Sequence, residues 1–388
     1  MSLGTYIQVP FCQTRCTYCN FHTGVVSSAR FAPYAAAVQA EIREHQGRLE
    51  QAGITLPTSF AQETVDTVYF GGGTPSLLDP EHLGGMLDVI RDTFLHDLDE
   101  VTLEADPETI DVQKAAGWVA AGIHRISLGV QSFSDVELQA CGRMHRRADI
   151  YRAVSILHAA GIGNISFDLI AGLPHQTPQS WRNSLDELVQ LAPQHVSIYL
   201  LEVDQGSRLG SEILRGGRKY SASAVPSDDA MAESYDLARA TLQTAGYEHY
   251  EISNFAKAGF ASAHNLKYWR RTPYLGFGAG AHSFSGQQRW ANTHDAAAYV
   301  QSIASGKIPV QQVEVISTSQ ALEEELFLGL RQLTGIDVER IQKLYGVAIS
   351  DRFQPLESSG LLERDGGIVR LAPKHLSISN EVFVELMR

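Results

Sequence analysis

Three of the four cysteines in the chain are concentrated between residues 12 and 19. Cys12, Cys16 and Cys19 are spaced as C-x3-C-x2-C, and His22 follows the third. Three thiolates can bind three irons of a [4Fe-4S] cluster and leave the fourth iron for a ligand that is not part of the protein. The same thiolates with the imidazole of His22 could instead bind zinc in a tetrahedral site. Spacing alone favours the iron–sulfur cluster and leaves both interpretations open.

A glycine run and several polar residues follow other predicted strands. Residues 71–73 are consecutive glycines, followed by Thr74. Such a run lets backbone amides approach a ligand closely, and a tight strand-to-helix turn would explain it equally well. Glu104, Gln131 and Asp168 each end a later predicted strand, so we expect them to converge on one site. Either carboxylate could alternatively cap a helix or form an ion pair.

A six-residue motif in the second half of the chain suits an iron porphyrin. It reads His264-Asn265-Leu266-Lys267-Tyr268-Trp269. An imidazole can coordinate haem iron, and Tyr268 and Trp269 offer apolar faces to the macrocycle. Since the chain has 14 histidines, the residues by themselves favour a hydrogen-bonded structural role for His264 over a role as a haem ligand. His282, within a Gly- and Ala-rich run, is a second candidate haem ligand.

Short β-rich runs alternate with amphipathic stretches and must position these residues. They predict strands at 5–9, 66–70, 101–105, 125–130, 165–170 and 196–200, and helices at 32–52, 80–94, 107–121, 134–141, 148–160, 178–192 and 229–246. Repeated βα units imply a parallel sheet with right-handed crossovers. A closed TIM barrel needs eight units, so we predict an α/β fold with a partial (βα)6 TIM-like barrel, open on one side. A doubly wound sheet would carry a G-x-G-x-x-G loop after the first strand, where this chain has the cysteines.

The remaining sequence predicts two further regions. We expect the barrel over 1–245, a connecting segment with the six-residue motif over 246–319, and a C-terminal helical, winged-helix-like domain over 320–388. Residues 203–228 are Gly- and Ser-rich with little periodicity, which predicts a flexible loop or lid over the barrel mouth. Acidic residues at 323–325 and the lack of a basic recognition face argue against DNA binding by the C-terminal domain.

Net charge, apolar content and cysteine distribution indicate which partners and which cellular location to expect. The 388 residues carry a formal net charge of −13, which repels nucleic-acid phosphates, so no nucleic-acid partner is expected. No apolar run approaches the length of a membrane span, and the N-terminus lacks the pattern of a signal peptide. Clustered thiols suit a reducing compartment, so we expect a cytoplasmic protein. Peripheral membrane contact is left open.

The cysteine motif, in the loop after the first strand of a partial barrel, resembles that of the radical S-adenosylmethionine (SAM) superfamily. The resemblance implies that Cys12, Cys16 and Cys19 bind a [4Fe-4S] cluster and that SAM chelates its fourth iron. An electron from the reduced cluster would then cleave SAM to methionine and a 5′-deoxyadenosyl radical. An electron donor is therefore an expected partner.

Within that superfamily, the chain is similar to the oxygen-independent coproporphyrinogen III oxidase family over most of its length. This resemblance implies SAM contacts by Tyr6, Gly72, Gly73, Thr74, Glu104, Gln131, Arg143 and Asp168. The oxidase has a further cysteine two positions after the third, where this chain has Phe21, and a longer arm before the cysteines.

Together with the six-residue motif, these departures make the chain resemble the haem chaperone (HemW-type) branch of the family. That branch implies a protein that binds haem through His264, Tyr268 and Trp269 and delivers it to apo-haemoproteins. No residue is then expected to be catalytic. Two enzymes are the alternatives: an oxygen-independent coproporphyrinogen III dehydrogenase, or a radical enzyme that acts on another large substrate.

Overall fold

Parallel strands alternate with helices over the first half of the chain. The computed structural model describes residues 2–57, 60 and 62–387, and its first eight strands are β1 (Ser2–Val9), β2 (Phe11–Cys12), β3 (Gly24–Val25), β4 (Thr64–Gly72), β5 (His96–Ala105), β6 (Arg125–Gln131), β7 (Asn164–Ala171) and β8 (His195–Leu200). Strands β1 and β4 to β8 pair in chain order as one parallel array, and β2 and β3 form a separate parallel pair. The array and its crossover helices confirm the predicted α/β fold with a partial (βα)6 barrel.

Eight helices accompany these strands: α1 (Phe31–Gln51), α2 (Pro80–Thr93), α3 (Val112–Ala121), α4 (Asp135–Ala140), α5 (Arg147–Ala159), α6 (Pro178–Leu191), α7 (Arg208–Leu214) and α8 (Asp228–Thr244). Seven of them correspond to predicted helices. The predicted start at residue 107 is a 3-10 turn, and α3 begins later because the Asp111 side chain accepts a hydrogen bond from the Lys114 amide.

The prediction of a flexible loop over 203–228 was wrong where α7 forms. Ser207 caps this helix by accepting from the Gly210 amide, and Leu209 is buried in a small apolar cluster with Cys141 and Met231. The Leu209 amide also donates to the Thr17 carbonyl in the cysteine loop, at 2.8 Å. The prediction failed because the segment is rich in Gly and Ser, while a few apolar side chains, such as Leu209, are enough to anchor it.

Within the predicted connecting segment, 246–319, residues 248–315 extend the main sheet at both edges. They form β9 (Glu248–Glu251), β10 (Asn254–Ala256), α9 (Ala263–Trp269), β11 (Tyr274–Phe277), β12 (His282–Phe284), β13 (Gln288–Asn292), α10 (Ala296–Ala304) and β14 (Val310–Val315). The twelve strands lie in the order β14-β13-β12-β11-β1-β4-β5-β6-β7-β8-β10-β9. The edges that β1 and β8 would otherwise expose are thereby paired. The predicted domain boundaries at 245 and 319 stay predictions.

The C-terminal region contains helices and a small sheet. Its elements are α11 (Thr318–Arg331), β15 (Ile336–Asp337), α12 (Val338–Tyr345), α13 (Ser350–Ser358), β16 (Leu362–Asp365), β17 (Ile368–Leu371) and α14 (Ser379–Leu386). Helices α11, α12 and α13 precede the hairpin of β16 and β17, and β15 adds a third strand in the order β15-β17-β16. This arrangement agrees with the predicted helical, winged-helix-like region.

The two faces of the parallel strands differ in polarity. In β4, Val68 and Phe70 belong to the apolar core, whereas Thr67 and Tyr69 hydrogen-bond to other polar side chains. Side chains alternate between faces along a strand, so one face of β4 packs in the core and the other is polar. Among the described residues, no helix has the length and apolar character of a membrane span.

A candidate cluster and cofactor site at the barrel mouth

A cavity of about 570 Å³ lies at the carboxyl ends of the parallel strands. It is lined by the three cysteines of the motif and by seven of the eight residues predicted to contact SAM: Gly72, Gly73, Thr74, Glu104, Gln131, Arg143 and Asp168. The eighth, Tyr6, does not line it. Its hydroxyl donates to the side chain of Gln8 at 2.9 Å, and its ring stacks on Tyr69. The fold thus gathers most of the predicted site, while the SAM contacts themselves stay predictions.

Three free thiols stand on one wall of this cavity. Cys12, Cys16 and Cys19 are each partly buried, and burial is the largest cause that raises the pKa of Cys12 and of Cys19. Within residues 2–57, 60 and 62–387, no three His, Cys, Asp or Glu side chains are placed to hold a single metal ion. His22 instead packs its ring against His294. The geometry therefore lacks the tetrahedral set that the zinc alternative requires.

Arg143 connects the cysteine loop to the acidic end of β5. Its guanidinium donates to the Asp106 carboxylate, to the Gly129 carbonyl at 3.0 Å and to Sγ of Cys16 at 3.6 Å. Its Nε is buried and has no acceptor in the described part of the chain. A fixed cation beside a thiolate stabilises the negative charge that metal binding requires of sulfur.

The glycine run allows the end of β4 to pack tightly against β1 and β2. A Cβ atom on Gly72 would lie 2.4 Å from the Gln8 side chain, and one on Gly73 would lie 2.5 Å from the Phe11 carbonyl. The Gly73 amide donates to the Val9 carbonyl at 2.8 Å, and the Gly72 amide donates to Glu104 at 2.9 Å. These amides are therefore engaged within the protein. The tight-turn interpretation accounts for the run, and a SAM contact by either glycine stays a prediction.

Two partly buried carboxylates face the cavity without an ion-pair partner among the described residues. Glu104 accepts from the Tyr69 hydroxyl at 3.0 Å, and Asp168 accepts from the Ser127 hydroxyl at 2.8 Å. Burial, and then the nearby charge of Asp168, raise the pKa of Glu104 to about 7. Burial also raises the pKa of Asp168. A cationic ligand would relieve both effects by favouring the ionised carboxylates.

Comparison with known proteins adds to this geometry. Residues 6–188 match the family model of the radical SAM superfamily, and residues 316–375 match that of the HemN C-terminal domain. The chain is 33% identical over 386 residues to heme chaperone HemW of Bacillus subtilis (strain 168), covering 98% of both chains. This chain belongs to the HemW family. Heme chaperone HemW of Mycobacterium tuberculosis (strain ATCC 25618 / H37Rv) is 36% identical over 370 residues, covering 94% of this chain and 89% of the relative.

A solved structure shares the fold of this HemW-family chain. Coproporphyrinogen III oxidase (HemN) from Escherichia coli superposes with a TM-score of 0.82 and 21% sequence identity, covering 99% of this chain and 90% of that one. At this identity the match establishes the architecture alone. The predicted superfamily and branch are both confirmed by the comparisons.

The six-residue motif of this HemW-family chain does not line the cavity. His264 is 1% exposed; its Nδ1 lies 3.0 Å from the Thr67 hydroxyl, and its Nε2 lies 2.9 Å from the hydroxyl of Tyr268, one turn further along α9. Burial lowers the pKa of His264 to about 3, so the ring is neutral. An axial haem ligand needs a free ring nitrogen. Both ring nitrogens of His264 are thus engaged within the protein, and its role as a haem ligand stays a prediction.

Trp269, the last residue of the motif, contacts a residue that lines the cavity. Arg331, at the end of α11, lines the cavity and lies over the Trp269 ring. Its guanidinium also lies 3.7 Å from the buried carboxylate of Glu251.

The start of α9 is fixed by Glu100, which accepts hydrogen bonds from the amides of residues 263 and 264. The motif therefore holds the C-terminal region against the barrel.

Sequence reasoning missed several residues of the cavity wall. These are Tyr18, Asp106, Tyr199, Glu202, Arg331, Leu376, Ser377 and Asn380. Asp106 follows a predicted strand and could have been found on that ground. The C-terminal residues carried no such signal, because only the packing of that region brings them to the barrel mouth. Gln131, which was predicted, adopts a φ of +63°, a conformation uncommon for a residue with a side chain.

Proposed function

We propose that this chain is a haem chaperone that binds haem and delivers it to apo-haemoproteins, on a radical SAM scaffold. The observation that carries this function is the 33% identity to heme chaperone HemW of Bacillus subtilis over 98% of both chains. Phe21 supports it, since this residue stands where the related oxidase has a further cysteine. A cytoplasmic location and a protein that donates electrons to the cluster belong to the same proposal.

The residues of the cavity fit a [4Fe-4S] cluster and SAM. Cys12, Cys16 and Cys19 would hold three irons, and the buried Nε of Arg143 offers a donor that no described residue uses. Glu104 and Asp168 would attract the cationic groups of SAM. When bound, the cluster and SAM supply one-electron reductive cleavage of a carbon–sulfur bond. The protein itself positions these groups and limits the access of water to them.

A transfer experiment tests the function. The full chain is reconstituted anaerobically with iron and sulfide, loaded with one equivalent of haem, and mixed with an apo-haemoprotein such as apomyoglobin. We expect the absorption spectrum of the holo-acceptor to appear faster than from an equal amount of haem bound to serum albumin. Failure of the chain to bind haem, or transfer no faster than from albumin, would contradict the proposal.

The same preparation tests the enzymatic alternative. With SAM and a reductant, an oxygen-independent coproporphyrinogen III dehydrogenase converts its substrate to protoporphyrinogen, and we expect none from this chain. Product formed at a rate proportional to the protein concentration would favour the enzyme over the chaperone.

A further inference from the structure

Three histidines from distant parts of the chain meet on the surface beside the cysteine loop. His22 follows the third cysteine, His282 begins β12, and His294 follows β13. All three are exposed. The rings of His22 and His294 lie with their centroids 4.2 Å apart and their planes 32° apart. The fold thus brings an imidazole of the cysteine loop against one that follows β13, the strand next to the β14 edge of the main sheet.

His282 shares this surface. Burial is the largest cause that lowers its pKa, and positive charge on His294, Arg289 and His22 lowers it further. Burial and His22 likewise lower the pKa of His294. His282 also pairs with Ala291 of β13, three residues before His294, which places these two histidines on neighbouring segments. The lowered pKa values favour the neutral imidazole, which is the form that binds metals.

The ring nitrogens of these three histidines are free of partners within the described part of the chain. No hydrogen bond from any of the rings is found to the residues that the structure describes, whereas both nitrogens of His264 are occupied. The surface does not form a site for a bare metal ion, because no three potential ligands among the described residues are suitably placed. Haem differs in this respect, since the porphyrin supplies four nitrogens and the protein needs to supply only one or two.

Apolar side chains are exposed in the same loop. Phe21 is 65% exposed, Val25 is 60% exposed and Val26 is 39% exposed. Val25 pairs with Cys12 in the β2–β3 ladder, so this apolar group is tied to the cysteine loop. Exposed apolar side chains that are grouped in this way typically mark an interaction site. Their chemistry suits the face of a porphyrin.

A buried framework holds two of the histidines in place. Glu41 accepts from the Gly278 amide at 2.8 Å, from Asn292 at 2.6 Å and from the Tyr299 hydroxyl at 2.5 Å. The amide of Gly280 donates to the Thr293 carbonyl at 2.8 Å. These bonds fix the segments that precede His282 and His294, so the two imidazoles are presented by a rigid support.

We propose that His22, His282 and His294, together with Phe21, Val25 and Val26, form the surface on which this chain carries haem. This inference rests on the proposed function and names the place of its cargo. One or two of the imidazoles coordinate the iron, and the apolar side chains cover part of one porphyrin face.

Titration of the full chain with ferric haem, followed at the Soret band, tests the surface. We expect the triple variant H22A/H282A/H294A to lose the Soret shift of the wild type and to bind haem about tenfold or more weakly. The matched control H96A/H158A removes two other exposed histidines and should bind as the wild type does. The double variant F21S/V25S should weaken binding and keep the position of the Soret band, since it leaves the ligands intact. Circular dichroism verifies the fold of each variant.

The outcomes separate this inference from the proposed function. If the wild type binds no haem, the proposed function fails. If the wild type binds haem and the triple variant binds it with the same spectrum and affinity, the surface is wrong and the function stands. A folded H264Q variant could lose haem binding while the triple variant keeps it. That outcome would likewise contradict the proposed surface, and it would assign the haem ligand to the six-residue motif.

Discussion

The guanidinium of Arg331 lies over the indole of Trp269, 4.4 Å from the ring centroid. Trp269 belongs to α9 and Arg331 ends α11, so this contact joins the barrel to the C-terminal region at the cavity wall. A cation over an indole ring is favourable, and more so where both groups are shielded from water.

This contact predicts energetic coupling between the two residues. In a double-mutant cycle of W269L and R331M, we expect a coupling free energy of about 1 kcal/mol. Urea unfolding of the wild type, both single variants and the double variant measures it. Strictly additive changes in the free energy of unfolding would contradict the prediction.

Glu100 is expected to be essential for stability. It accepts from the Ser262 hydroxyl and from two amides of α9, and it forms a buried ion pair with Arg125. Because E100A leaves the Arg125 charge buried and unpaired, we expect a loss of about 3–5 kcal/mol in the free energy of unfolding. The control D88A breaks an exposed ion pair with Arg91 and should cost at most about 1 kcal/mol. Equal urea midpoints for E100A and D88A would disprove the assignment.

Cluster binding should depend on three of the four cysteines. After anaerobic reconstitution, C12A, C16A and C19A should each lose the broad iron–sulfur absorbance, because each removes an iron ligand. C141A is the matched control, since Cys141 is buried in an apolar cluster and should be dispensable for the cluster. Iron and sulfide analysis measures the cluster content of each variant. A full cluster in all three single variants would rule out the ligand set.

Arg143 should raise the reduction potential of the cluster. Reduction adds a negative charge, which the guanidinium near Cys16 stabilises. We therefore expect a lower midpoint potential in R143M than in the wild type, and a smaller decrease in R143K, which keeps the positive charge. A redox titration followed by electron paramagnetic resonance measures both. An unchanged potential in R143M would show that the contact does not act on the cluster.

SAM binding should strengthen as the pH rises through neutrality. The pKa of Glu104 is raised to about 7, so the group is mostly protonated below that pH and ionised above it. Only the ionised form attracts a cationic ligand, and a single proton with this pKa predicts affinity about tenfold higher at pH 8 than at pH 6. Equilibrium dialysis with labelled SAM measures the change. E104Q cannot ionise and should show a flatter dependence; a wild-type affinity independent of pH would contradict the role of Glu104.

Local patterns in the sequence determined much of the fold. The alternation of β-rich and amphipathic runs predicted six parallel strands and seven of the first eight helices, because hydrophobic periodicity reports which face of each element is buried. The spacing of Cys12, Cys16 and Cys19 predicted three ligands in one loop. Glu104, Gln131 and Asp168 were predicted to converge because parallel strands bring their carboxyl ends together, and all three line the cavity.

Contacts between residues that are far apart in the chain depend on tertiary packing, and local sequence patterns did not predict them. The edge strands over 248–315 pair with both sides of the barrel, and the C-terminal region lines the cavity, without any local signal for either. The contacts of His264 with Thr67 and Tyr268, and the meeting of His22 with His294, likewise depend on the folded structure. The type of a side chain determines which bonds it can make. For a histidine, burial and neighbouring residues determine which ring nitrogens remain free to bind a ligand.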